Sequence, residues 1–343
     1  MPEKLYERLK EFLSTCQGRE VSLKYLREEL RIDPNTPAWD GLREYLRRLI
    51  EKNIVKPTGK NDGTYKVIQQ INPVQVFGQQ RERRPLFTLL FPREFKSQKE
   101  MDFAPHIIVR EGDLITIGGE KSMGKTTLCL NFLAENIDKK PILMGNEYTV
   151  FAENQFEPAP RFLSRLDTMS EWVNWTDENG MDKFTLLPVT DDYAEHIVKD
   201  RINIIDWINL DGDKSYDISK VLYGIKHSLG RGVGIISLQK GEGAINPRGG
   251  QFVRDFSDVE IHLSSFSKSS DDVLLTIKGV KEKDAPIVGK NYTYTINYNG
   301  TRINNFHEVI KCYGCNGDKI RYIKGEGKVE CSICKGIGWL NKE

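Results

Sequence analysis

Leu114-Ile115-Thr116-Ile117-Gly118-Gly119-Glu120-Lys121-Ser122-Met123-Gly124-Lys125-Thr126 is the stretch on which the fold of this chain turns. Its first four residues read as a short buried strand, Gly118 and Gly119 open a loop, and Thr126 to Ala134 runs on with helical periodicity. Between strand and helix lies the pattern G-x-x-x-x-G-K-[ST]. Glycines let consecutive backbone N–H groups turn inward at a helix N-terminus, where the peptide dipoles favour negative charge. The spacing therefore predicts a cradle for nucleotide phosphates made by Gly119, Glu120, Lys121, Ser122, Met123, Gly124, Lys125, Thr126 and Thr127. Lys125 would reach the outer phosphates and Thr126 would place its hydroxyl on magnesium.

Magnesium needs a carboxylate behind it. Asn203-Ile204-Ile205-Asp206 offers one at the end of an apolar strand, with a strand-end acid facing solvent as the alternative. Asp211 and Asp213 lie nearby in what reads as a loop. Asp206 cannot also deprotonate water while it serves the metal, so a second acid is required. Pro141-Ile142-Leu143-Met144 ends in Gly145-Asn146-Glu147 and supplies that candidate, unless Glu147 is an ordinary loop residue.

From 101 to 308, further short strands, Gly234–Ser237, Val259–Leu263, Val273–Ile277 and Tyr292–Ile296, alternate with amphipathic helical stretches or follow one another. This is the pattern of an α/β domain with a mostly parallel sheet covered on both faces and extended by the last strands. With Glu147 just past the second strand, residues 101–308 resemble the RecA-type P-loop ATPases, and within them the DnaB-type replicative hexameric helicases. The resemblance implies ATP and Mg2+ as ligands and Glu147 as catalytic base. It also implies that Gln239, at the end of Ile236-Ser237-Leu238-Gln239, senses the γ-phosphate, although helicases more often have Ser-Gln-Leu and the glutamine is offset by one. The loop Gly241–Gly250 resembles the second DNA-binding loop of that family.

Lys281-Glu282-Lys283-Asp284-Ala285-Pro286-Ile287 resembles the helicase pattern Lys-x-Arg-x-Gly-Pro-Ile, whose basic residues enter the neighbouring subunit's ATP site. Lys281 and Lys283 are the matching residues, with Lys283 where an arginine finger is usual; exposed lysines on a strand-edge loop are the plainer reading. An ammonium neutralises phosphate charge but lacks the bidentate guanidinium fork. The resemblance further implies DNA, single-stranded for this core, as partner and a homo-oligomer, a hexamer on the helicase pattern. Heptamers and filaments are built from very similar residues.

Residues 1–70 read as a separate small domain. Leu5, Leu9, Phe12 and Leu13 mark one helix, Leu23, Leu26 and Leu30 a second with Ser22 as N-cap, and Thr36-Pro37 opens a third carrying Arg43, Arg47 and Arg48. Ile54–Lys56 and Thr64–Ile68 read as two strands around a Gly-bounded turn. Three helices and a hairpin resemble a winged helix, whose third helix enters a DNA groove or docks a protein. This departs from the helicases, where a helical primase-binding domain is expected. Residues 71–100, rich in Gln, Arg, Pro and Phe, read as a linker that packs partly on its neighbour.

The tail, 309–343, reads as a zinc-binding module. Cys312-Tyr313-Gly314-Cys315 and Cys331-Ser332-Ile333-Cys334 are two C-x-x-C pairs at the spacing of four-cysteine Zn2+ sites. Cys315-Asn316-Gly317 and Cys334-Lys335-Gly336-Ile337-Gly338 resemble the repeat of the DnaJ-type zinc module. Four thiolates leave no position for water, which makes the metal structural; redox-active pairs are the alternative. Basic residues interleave with Tyr322 and Trp339 around the knuckles, which suits single-stranded nucleic acid or a protein-docking surface equally.

Composition bounds the rest. Lys plus Arg number 50 against 49 Asp plus Glu, so nucleic-acid contact must come from local patches such as Arg81, Arg83, Arg84, Arg93, Lys96 and Lys99. No apolar run approaches the ~18 residues of a membrane helix, and the N-terminus lacks a signal-peptide core, so the expectation is a cytoplasmic protein without membrane contact. The combined expectation is an ATP-dependent, helicase-like DNA motor in replication or recombination, with viral or mobile-element origin left open. An ATP-dependent switch or loader that assembles a partner on DNA is the alternative.

Overall fold

Short, wholly apolar runs can be buried on both faces at once, and that property organises the larger part of the molecule. The computed structural model describes residues 2–59, 63–69, 87–145, 147–208, 217–241, 244–267, 270–323 and 327–342. The chain forms two compact units, Met1–Arg83 and Arg84–Glu343.

The first unit comprises α1 (Pro2–Thr15), β1 (Glu20–Ser22), α2 (Leu23–Glu29), α3 (Pro37–Glu51), β2 (Val55–Pro57) and β3 (Thr64–Val67), with an antiparallel sheet ordered β1-β3-β2. Leu9, Leu13, Leu26, Leu42, Leu46 and Leu49 are fully buried between helices and sheet. Ser22 caps α2 by accepting from the Tyr25 amide at 3.1 Å, and Pro37 stands at the start of α3. The three-residue β1 adds a strand that sequence reading did not anticipate. Arg47 and Arg48 are exposed on α3 and share Glu44, at 3.0 and 3.3 Å.

In the second unit the chain runs β4 (Leu114–Gly119), α4 (Lys125–Glu135), β5 (Ile142–Met144), β6 (Thr149–Ala152), β7 (Gln155–Pro158), α5 (Pro160–Met169), β8 (Thr185–Leu187) and β9 (Ile202–Ile208). It continues through α6 (Ile218–Ser228), β10 (Val233–Gln239), α7 (Gln251–Phe256), β11 (Val259–Ser267), β12 (Ser270–Val280), β13 (Asn291–Asn297) and β14 (Arg302–Lys311). It ends with β15 (Ile320–Ile323), β16 (Gly327–Glu330) and β17 (Trp339–Asn341). One ten-stranded sheet is ordered β17-β14-β13-β12-β11-β4-β10-β9-β5-β8. The side from β8 to β11 is parallel and the side from β11 to β17 antiparallel.

Strand side chains alternate between faces, and the two faces carry separate cores. Ile115, Ile117, Ile204 and Ile235 join Leu128 and Phe132 of α4. Leu114, Ile205, Ile236 and Leu238 join Ile218, Leu222 and Ile225 of α6. Because β4, β5, β9, β10 and β11 run parallel, their C-terminal ends lie along one edge, the place where open α/β sheets bind ligands.

Two expected boundaries shift. Residues 87–100, the part of the expected 71–100 linker nearest the second unit, pack on that unit: Leu89 and Phe91 belong to its core and Leu90 exchanges backbone hydrogen bonds with the Asn136 side chain; residues 70–86 lie outside the described ones. At the other end, β14 crosses the expected 308/309 boundary, and β17 returns to pair with it, Val309 opposite Asn341 and Lys311 opposite Trp339. The cysteine tail is thus stitched to the sheet rather than hung from it. Among the described residues, no helix is long and apolar enough to cross a membrane.

Candidate functional site

Gly124 closes the loop between β4 and α4 in the left-handed region, φ 80° and ψ 17°. A side chain there would be strained, and its Cβ would lie 2.3 Å from Ile296 Cδ1. Lys125, only 8% exposed, folds back over the strand end. Its ammonium donates to the Gly119 carbonyl at 3.0 Å, the Glu120 carbonyl at 2.8 Å and Gln239 Oε1 at 3.1 Å. Burial lowers the lysine's proton affinity, opposed by the neighbouring carboxylates of Asp206, Glu147 and Glu120. A phosphate oxygen could take over from these carbonyl acceptors without moving the backbone.

Thr126 and Thr127 divide by role. Thr127 donates to the Gly300 carbonyl at 2.8 Å and ties α4 to the turn between β13 and β14. Thr126 is only partly buried, and its hydroxyl bonds no other described residue, so it remains available to a metal. Lys121 and Ser122 are exposed at the loop crest, while Met123 packs on the core.

Asp206, 5% exposed near the end of β9, has both oxygens engaged. Tyr148 donates its hydroxyl to Oδ2 at 2.7 Å, and Ser237 of β10 donates to Oδ1 at 2.7 Å. The Trp207 amide donates to the same Ser237 oxygen at 2.7 Å, with Trp207 itself at φ 70° where β9 and β10 slip register. The Cys129 thiol completes this cluster beneath the loop. Burial, and then Asp206, push the Cys129 thiol and the Tyr148 phenol well above their ordinary values, so both stay protonated. A buried carboxylate held by two hydroxyls, within electrostatic reach of Lys125, fits a magnesium site that acts through water.

Glu147 is exposed just beyond β5, within electrostatic reach of Lys125. Gln239 ends β10, and its backbone carbonyl accepts from the Arg248 amide at 2.9 Å, which joins the 241–250 loop to the phosphate loop. Lys125, Asp206, Glu147 and Gln239 are therefore brought together. Residues 242 and 243, like Asp211 and Asp213, lie outside the described residues.

Lys281 and Lys283 are not brought to this loop. Lys281 pairs with Asp258 at 2.9 Å, and the same Asp258 accepts from the Leu114 amide and from Lys226, at the opposite end of β4 from Gly119. The Lys283 ammonium donates to the Val280 carbonyl at 3.3 Å. Sequence reasoning missed Tyr148, in the bend after β5, and Ser237 of β10, which contact Asp206; only their neighbourhood to Glu147 and Gln239 hinted at them.

Cys312, Cys315, Cys331 and Cys334 are buried, with all four sulfurs within 4.8 Å of one another. The Cys312–Cys331 and Cys315–Cys334 sulfurs are 3.8 and 3.6 Å apart. A tetrahedron with ~2.3 Å metal–sulfur bonds has edges of about 3.8 Å, so the four thiols fit zinc and are too far apart for disulfides. The Cys334 and Ile333 amides lower the pKa of the Cys331 thiol, while burial raises that of its neighbour Cys334. Gly338, at φ 88°, passes so close to Gly317 that a Cβ would stand 2.8 Å from the Gly317 carbonyl, and Gly317 itself sits at φ 91°, so both positions favour glycine.

No protein-family model matches the chain, and no curated protein does. Among solved structures it is similar to the crystal structure of the RadB recombinase, with TM-score 0.41 and 14% identity, over 57% of this chain and 91% of that one.

Proposed function

We propose that the chain is a RecA-type P-loop ATPase that drives movement on DNA, with ATP and magnesium held by residues 119–127 and Asp206. The observation that carries this reading is the convergence on Lys125 of Gln239, Asp206 and Glu147 at the mouth of the parallel strands. Lys125 would transfer its hydrogen bonds from backbone carbonyls to the outer phosphates. Thr126 and Asp206 would hold the metal, and Glu147 would orient and deprotonate the attacking water. Gln239 would report the state of the γ-phosphate to the 241–250 loop through the Arg248 contact.

The element order of the first unit supports a winged-helix domain that presents Arg43 and Arg47 of α3 to DNA. The placement of Lys281 and Lys283 at the far end of the sheet supports their action in a neighbouring subunit's site, and so a ring or filament. The test is ATP turnover with and without DNA. Single-stranded DNA should stimulate it more than duplex, and movement along DNA should require Lys125; indifference to both DNAs removes the motor.

A second reading, a partner-controlled switch or loader, is favoured by the capture of Lys281 by Asp258 in its own chain. Release of that lysine on assembly would make turnover depend on a partner.

A further inference from the structure

The hairpin of β15 and β16 leaves its side chains in water. All four residues of β15 are exposed, with Tyr322 at 75%, and Tyr313, in the turn of the first cysteine pair, is 80% exposed. Neither ring stabilises the module, whose core consists of the four cysteines and Leu340. Lys328 stands directly opposite Tyr322 in register, its ammonium 5.7 Å from the ring centre. None of Lys311, Lys319, Arg321, Lys328 and Lys335 is ion-paired with another described residue. The nearest strand acid, Glu330, lays its carboxyl against Gly336 instead. Ile320 and Tyr322 share one face of the hairpin with Lys328, and Arg321 and Ile323 share the other, so each face sets one exposed isoleucine beside a cation.

From this juxtaposition we propose that the hairpin and the first knuckle form a binding surface for single-stranded nucleic acid. Tyr313 and Tyr322 stack on bases, while Lys328, on the Tyr322 face, and Lys319 meet phosphates; Arg321 lies on the opposite face of the hairpin. Exposed rings beside cations that lack ion pairs match a flexible chain of alternating π-faces and negative charges, and require no particular base sequence; a base would stack on the Tyr322 face away from Lys328. Zinc holds the two knuckles and so fixes where the rings stand. The proposal deepens the reading of a DNA-borne ATPase and rests on it only for the choice of DNA over RNA.

The experiment is fluorescence anisotropy of labelled oligo(dT) with full-length, zinc-replete protein in the absence of nucleotide, so that it stands apart from ATP turnover. Tyr313→Ala with Tyr322→Ala should weaken binding about 30-fold, the low end for two lost base stacks. Tyr313→Phe with Tyr322→Phe should restore it, and chelation of zinc should abolish it. Equal binding by the alanine pair and the parent overturns the proposal, as does a parent that binds no oligonucleotide. So does alanine-sensitive binding of a labelled unfolded polypeptide in place of oligo(dT), which makes the surface a protein-docking site. Failure here with intact DNA-stimulated turnover would leave the ATPase reading standing, and the reverse pattern would leave this surface standing alone.

Discussion

Tyr148 and Asp206 meet at 2.7 Å, phenol to carboxylate, although they are 58 residues apart and lie on different segments of the crevice. Tyr148 directly follows Glu147 and is 1% exposed, packed against Phe162. The segment that carries the proposed base is thereby anchored to the carboxylate proposed for the metal.

Tyr148→Phe removes that anchor while keeping the ring. Because the lost bond is to a charged, buried acceptor, stability should fall by ~1.5–3 kcal/mol in urea titrations. ATP turnover should fall further than Kd for nucleotide rises, since the variant disturbs position and not phosphate contact. A variant with unchanged turnover would detach Tyr148 from the site.

Gly124→Ala tests the backbone of the loop. At φ 80° an alanine costs about 1–2 kcal/mol, and its methyl must displace the tip of Ile296. A modest loss of thermal stability should accompany a severe loss of nucleotide binding, read by a fluorescent ATP analogue.

Asp258 offers a pH test. Burial raises its pKa, but bonds from Lys226, Lys281 and the Leu114 amide outweigh burial and hold it below 3.8. A carboxyl that binds its proton less tightly when folded adds stability above pH 3.8, lost as pH falls through the lower folded value. Asp258→Asn should cost near the lower end of the ~3–5 kcal/mol for breaking a buried pair, because Lys281 is half-exposed. The gap from the parent should narrow in urea titrations below pH 3.8.

Metal content is a separate check. Purified protein should carry one zinc per chain, and Cys331→Ser or chelation should release it. Because β17 pairs with β14, loss of zinc should speed hydrogen exchange at Val309 and Lys311 while amides of β4 stay protected. Unchanged exchange at Val309 after complete chelation would separate the cysteine cluster from the sheet edge.

What could be read from sequence was local. The loop from Gly119 to Thr126, the Ser22 cap, the Pro37 helix start and the cysteine pairs each carry their signal within a few residues. The partners of Asp206 do not, because Tyr148 and Ser237 reach it only after β5, β9 and β10 align. The hairpin of β6 and β7 turns at Glu153 and Asn154, both with positive φ, and was hidden by a turn pair less distinctive than Asn-Gly. The return of β17 to β14 was invisible because it depends on where the cysteines bring the chain. Leu89 and Phe91 read as linker residues because the apolar run Leu89-Leu90-Phe91, closed by Pro92, is too short to show a period.

The most direct test of the central claim is steady-state ATP hydrolysis by zinc-replete protein beside its Lys125→Ala and Glu147→Gln variants. The account predicts turnover by the parent, neither binding nor turnover by Lys125→Ala, and ATP retained without turnover by Glu147→Gln. Hydrolysis by Lys125→Ala at the parent's rate would contradict it.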